Sequence, residues 1–196
     1  MNVIEKIIRL SMISAFLLPV SCDVKVADSV YPAQTIYLPA AVQADHIYLI
    51  DQVEGDAGSV PGDGNPYKAV IDYDCSSFMI PLAVYRSGIG NEGDVKVDIS
   101  LDDEIVDDMF IDGRLDPDEV RILPYDLKEC EEKVVVRDGC SNAVFNVSVD
   151  LDWLMDRAQK NRIFVFGVSV SSKDREVSED YGRAVIMIDT ALFDSI

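Results

Sequence analysis

Apolar and polar residues alternate along much of this chain. In Asp94-Val-Lys-Val-Asp-Ile-Ser-Leu101, the residues Val95, Val97, Ile99 and Leu101 share one face, and Asp94, Lys96, Asp98 and Ser100 share the other. A period of two over eight residues marks a half-buried strand. Residues 144–151 repeat the device, with Phe145, Val147, Val149 and Leu151 inward. Residues 35–38, 47–51, 67–73 and 132–137 are β-branched and aromatic enough to read as strands. Residues 78–85 form another strand, interrupted by Pro81, which predicts an edge position or a bulge. Residues 163–170 are almost continuously apolar, as expected of a central strand, and residues 183–189 form the last one. Helical signal is scarce. Residues 103–110 and 152–160 can each form at most about two turns, the second with Asp150 or Asp152 as N-cap. Residues 54–66 hold four glycines and two prolines and read as a turn-rich loop. Short strands at regular spacing with Gly, Pro and Asp turns predict an all-β antiparallel sandwich of about 7–9 strands.

The N-terminus departs from this pattern. Lys6 and Arg9 precede an apolar stretch from Leu10 to Val20, then Ser21 and Cys22. A transmembrane helix needs about 20 apolar residues, and this stretch is about half that. A positive start, a short apolar block and a small residue before cysteine are the layout of a secretory signal peptide, and the ending resembles a bacterial lipobox, with Pro19 where leucine is usual. The expected organisation is a signal peptide over residues 1–21, a tether over 22–33 carrying a lipid such as palmitate on Cys22, and a sandwich domain over 34–196. The expected location is an outer membrane, lipid-anchored on its periplasmic or exposed face.

Charge narrows the partners. The chain carries 17 basic and 36 acidic side chains, net −19. Such a surface repels nucleic acid and anionic lipid heads, so an acyl chain rather than a basic patch must hold the membrane. At 48% hydrophobic residues the chain still has enough apolar material to fold.

Several phrases resemble a known family. They are Val95-Lys-Val-Asp-Ile-Ser-Leu-Asp-Asp103, Arg121-Ile-Leu-Pro-Tyr-Asp-Leu127, Lys133-Val-Val-Val-Arg-Asp-Gly139, the strands at 143–151 and 163–171, and Ile186-Met-Ile-Asp189. In order and spacing they resemble the Ig-like N-terminal domain of unknown function in surface lipoproteins of Bacteroides-type bacteria. That resemblance implies an Ig-like sandwich found beside glycan-acting domains, and a role in glycan capture or adhesion. Asp28-Ser29-Val30, Asp189-Thr190-Ala191 and Asp194-Ser195-Ile196 resemble the O-glycosylation pattern of the same bacteria.

Catalytic chemistry finds little support. His46 is the single histidine, and no Gly-x-Ser-x-Gly elbow is present. The chain reads as a non-enzyme without a cofactor. Cys75, Cys130 and Cys140 form no CxxC motif, so zinc is not expected. An extended segment between Cys130 and Cys140 argues against bridging that pair. The acidic stretch 102–119 invites a calcium reading, but Phe110 breaks the EF-hand pattern framed on Asp108, and no metal site is assigned. Sugar binding needs an exposed ring. Trp153, capping the core or projecting from a loop, and Tyr181, in the loop before the last strand, are the candidate glycan contacts. The leading function is therefore glycan binding or presentation by a surface lipoprotein. The alternative is a structural or adhesive subunit that assembles with protein partners, for instance by strand addition.

Overall fold

A computed structural model describes residues 33–50 and 68–195. The signal segment, Cys22, the tether, Ser29 and the loop at 54–66 lie outside the described residues. Among the described residues, twelve strands build two six-stranded sheets. The first contains β1 (Thr35–Tyr37), β3 (Val70–Asp72), β4 (Ser77–Arg86), β7 (Lys128–Cys130), β9 (Asn142–Asp150) and β11 (Glu176–Val177), in the order β11-β1-β4-β9-β7, with β3 also on β4. The second contains β2 (Ile47–Ile50), β5 (Val95–Leu101), β6 (Val120–Ile122), β8 (Lys133–Val136), β10 (Ile163–Ser171) and β12 (Arg183–Asp189), in the order β2-β12-β10-β5-β8, with β6 also on β10.

The alternating strands do what their pattern predicts. Val95, Val97 and Ile99 from one sheet, and Phe145, Val147 and Val149 from the other, point into a single core. Phe78, Ile80 and Leu82 of β4 face Phe164, Phe166 and Val168 of β10 across it in the same cluster. Each such side chain contributes about 1.5–3 kcal/mol on burial. The molecule is an all-β sandwich.

Three details differ from the sequence expectation. The strand count is higher, because β1, β3, β6, β7 and β11 have only two or three residues each, too few to show a period. The sheets are mixed rather than purely antiparallel: β1 with β11, β10 with β6, and β12 with β2 run parallel. Pro81 lies in an interior strand, paired with Asn146 on one side. On the other side, β4 is met by β3 at 77–79 and by β1 at 85–86, so Pro81 falls in the gap between two short neighbours. A proline is tolerated where the ladder is already interrupted.

The continuous apolar run of β10 has a plain cause. Its even positions fill the sandwich, while Val165 faces outward under helix α1 (Glu104–Ile111), in a second cluster with Ile105, Val106, Met109 and Val185. Helix α1 crosses the outer face of the second sheet and lands beside Gly167. A Cβ there would collide with the Asp102 carbonyl oxygen and would sit 2.5 Å from Ile105 Cγ2. The Gly167 carbonyl accepts the Asp102 N–H at 2.9 Å, bridging the point where β5 and β6 meet β10 at different heights.

Helix α2 (Leu151–Leu154) follows β9 directly and stays within the two turns expected at most; a 3-10 turn, Arg157–Gln159, completes that stretch. A further 3-10 segment, Thr190–Ser195, follows β12 and sets Phe193 edge-on to Phe78 at 5.2 Å. At one end of the sandwich, Arg86 is 4% exposed and donates to the carbonyls of Asn91, Glu92, Gly93, Arg137 and Cys140 at 2.7–3.2 Å. One guanidinium thereby ties the β4–β5 loop to the β8–β9 loop.

Candidate functional site

After β6 the chain crosses from one sheet to the other through Leu123, Pro124 and the 3-10 turn Tyr125–Leu127, then enters β7. Leu123 and Lys128 are buried at the two ends of this crossing. With both ends pinned and a proline fixing the backbone between them, the turn must bulge outward. Tyr125 sits at its start and is 72% exposed. Beside it, where the margins of the two sheets face each other, lies a cleft of about 840 Å³. Asp98, Ile99, Ser100 and Leu101 of β5 form one wall; Tyr125, Asp126, Lys128, Glu129 and Cys130 form another; Glu132 and Lys133 close it.

Lys128 holds this corner together. Its side chain is fully buried, and Nζ donates to Asp103 Oδ2 at 2.7 Å and to the Leu123 carbonyl at 2.8 Å. The same ammonium lies 5.8 Å from the Tyr125 ring centre and 5.9 Å from that of Phe166, distances at which a cation is drawn to a ring face. Asp103 Oδ1 accepts the Gly167 N–H at 3.2 Å, which ties the crossing to β10. Burial, and then the Glu131 carboxylate, push the Cys130 thiol up to about 12. The cleft therefore offers one exposed ring, several carboxylates and a serine hydroxyl on a rigid floor. These are groups suited to stacking and hydrogen bonding.

The residues expected to contact glycan lie elsewhere. Trp153 is half-buried in α2, with its ring 4.9 Å from that of Phe164, and caps the core. Tyr181 is 40% exposed and packs against His46 at 6.0 Å. Phe164 pairs with Ile188, whereas Arg183, two residues after Tyr181, pairs with Ser169. The two aromatics thus sit at opposite ends of β10, roughly 15 Å of strand apart, and neither lines the cleft. The sequence carried one sign of Tyr125, an aromatic after proline between two leucines, but nothing to show that Lys128 would turn inward.

The other candidates resolve as follows. His46 Nδ1 lies 2.9 Å from the Ala41 carbonyl oxygen, a backbone contact, and its ring packs near Tyr181. Cys75, Cys130 and Cys140 are free thiols. In the acidic stretch, Asp102 is forked by Arg183 at 2.9 and 3.2 Å, and Asp103 is held by Lys128. Among the described residues no three His, Cys, Asp or Glu side chains gather closely enough to hold a metal ion. Thr190, in the phrase Asp189-Thr190-Ala191, is 4% exposed, with its hydroxyl 2.7 Å from the Gln159 carbonyl oxygen and 3.0 Å from that of Arg162, so it is not presented at the surface.

No protein-family model matches the chain, and no curated protein matches it. Solved structures do. A protein of Bacteroides ovatus, provisionally named as carbohydrate binding, superposes with a TM-score of 0.53 at 10% identity over 79% of this chain and 36% of its own length. A multidomain protein including DUF1735, also from Bacteroides ovatus, gives 0.50 at 17% identity over 80% and 45%. An auxiliary nutrient binding protein from Bacteroides thetaiotaomicron gives 0.48 at 13% identity over 76% and 46%. The chain spans less than half the length of each of these three. At such identities the first two likenesses show a shared fold.

Proposed function

We propose that this protein is a non-enzymatic glycan-binding accessory module of a bacterial cell surface, akin to the Ig-like N-terminal domains of Bacteroides-type surface lipoproteins. Cys22 carries its lipid and anchors it to the outer membrane. The single observation that carries the glycan reading is the exposed Tyr125 ring beside a carboxylate-lined cleft. A pyranose stacks its apolar face on such a ring while carboxylates and Ser100 accept or share its hydroxyl hydrogen bonds. The fold shared with a Bacteroides protein named for carbohydrate binding supports the same reading. Tyr125 takes the platform role in place of Trp153, whose ring is spent on the core, and of Tyr181, which lies at the far end.

The test is a glycan array followed by titration calorimetry on the detergent-solubilised full chain. Tyr125→Ala should weaken binding about tenfold or more while the urea midpoint stays in place, because the ring is largely outside the fold. Undiminished binding by that variant would overturn the assignment of the site.

One observation favours a second reading, protein assembly. Strand β7 ends its sheet in the described residues, with β9 as its neighbour on one side. Strand addition there would give concentration-dependent oligomers, which sedimentation would detect.

A further inference from the structure

We infer that the cleft beside Tyr125 accepts uncharged saccharides and rejects those bearing carboxylate or sulfate groups, an inference that rests on the glycan-binding reading above. The argument is a balance of charge at the cleft wall. Asp98, Asp126, Glu129 and Glu132 line it, against two cations, Lys128 and Lys133. Only one of these cations faces solvent. Lys128 has a fully buried side chain and spends its protons inward on Asp103 and the Leu123 carbonyl. Lys133 is exposed and loosely paired, its Nζ 3.7 Å from Asp98 Oδ1, so a single exposed cation stands against four carboxylates.

Asp126, Glu129 and Glu132 are exposed, and none of the three is ion-paired among the described residues. Among the described residues no arginine lines the cleft, although its forked guanidinium is the usual receptor for a carboxylate or sulfate. A uronate or a sulfated sugar stacked on Tyr125 would therefore bring its charge against three unpaired carboxylates, with Lys133 the one exposed cation among the described lining residues. The surrounding chain, at net −19, adds repulsion of the same sign at longer range. A neutral sugar meets the same carboxylates as hydrogen-bond acceptors for its hydroxyls, and ionised acceptors make the stronger bonds. One wall thus attracts one class and repels the other.

The experiment titrates the detergent-solubilised full chain with neutral gluco- and manno-oligosaccharides, and with oligogalacturonate and heparin-derived oligosaccharides, at about 20 mM and about 150 mM NaCl. Expected is binding of a neutral series that changes less than about twofold with salt, and anionic binding at least about tenfold weaker at low salt, with the gap narrowing as salt rises. The triple variant Asp126→Asn, Glu129→Gln, Glu132→Gln, at exposed positions, should raise anionic affinity toward the neutral level. Wild-type protein that binds anionic sugars as tightly as neutral ones, or more tightly as salt falls, would overturn the inference. A blank against every saccharide would instead overturn the glycan reading itself and remove this inference with it. Unchanged anionic affinity in the triple variant, with neutral binding present, would overturn the role of these three carboxylates alone.

Discussion

Gly167 shows how one residue can be dictated by tertiary structure. Its position on β10 is open on the interior side of the sheet's logic but closed by the start of α1 on the outside. Gly167→Ala drives a methyl group into the Asp102 carbonyl, which is backbone and cannot swing away. We expect a loss of about 3 kcal/mol, read as a lower urea midpoint; an unchanged midpoint would mean that α1 does not rest there. Nothing in the apolar run 163–170 announces this glycine as more than a gap. Cys130 makes a second prediction at this scale. Its thiol is held up to about 12 by burial and by Glu131, whereas an unfolded thiol ionises near about 8.5. The unfolded chain therefore loses its proton first as pH rises. The stabilisation from the raised thiol is complete below pH about 8.5 and is lost as pH climbs from there through about 12. At pH about 8, iodoacetamide should label Cys130 more slowly than the exposed Cys140. Equal rates by mass spectrometry would refute the burial of that side chain.

At the scale of elements, the end of β9 is the instructive case. Asp150 Oδ1 accepts the Trp153 N–H at 2.8 Å, so the carboxylate starts the helix whose tryptophan covers the core. A cap here was legible only as a choice between Asp150 and Asp152, and the structure chooses Asp150. Asp150→Ala should cost about 1 kcal/mol and should red-shift the emission of Trp153, the sole tryptophan, as its ring loosens from Phe164. Emission and midpoint both unchanged would remove the capping role. The long alternating strands β5 and β9 were legible because their period repeats often enough to stand out. The crossing at 123–128 was not legible, because a buried lysine is predictable only from the Asp103 and Leu123 partners that folding brings to it. Asp103 itself looked like one more member of an acidic run.

At the scale of the whole molecule, charge is the dominant feature. With 36 acidic against 17 basic side chains, the folded surface repels itself. Raising NaCl from about 10 to about 150 mM should raise the melting temperature by about 2–4 °C through screening. A fall would show that ion pairs such as Arg183 with Asp102 outweigh the net repulsion. The same excess of carboxylate is the basis on which we propose that the cleft discriminates saccharides by charge.

By itself, the sequence determined the class of fold and which strand faces turn inward. Burial of alternate residues is a local pattern, repeated at 94–101 and 144–151 and readable without any partner. It also determined the sign of the surface, since charge adds regardless of conformation. Only the tertiary structure decided the site. Tyr125 stands exposed because Leu123 and Lys128 are buried on either side of it, held by residues far away in the chain. The cleft exists because the margins of two sheets stop at different places. Such facts depend on contacts between distant segments, and no local pattern of residues encodes them.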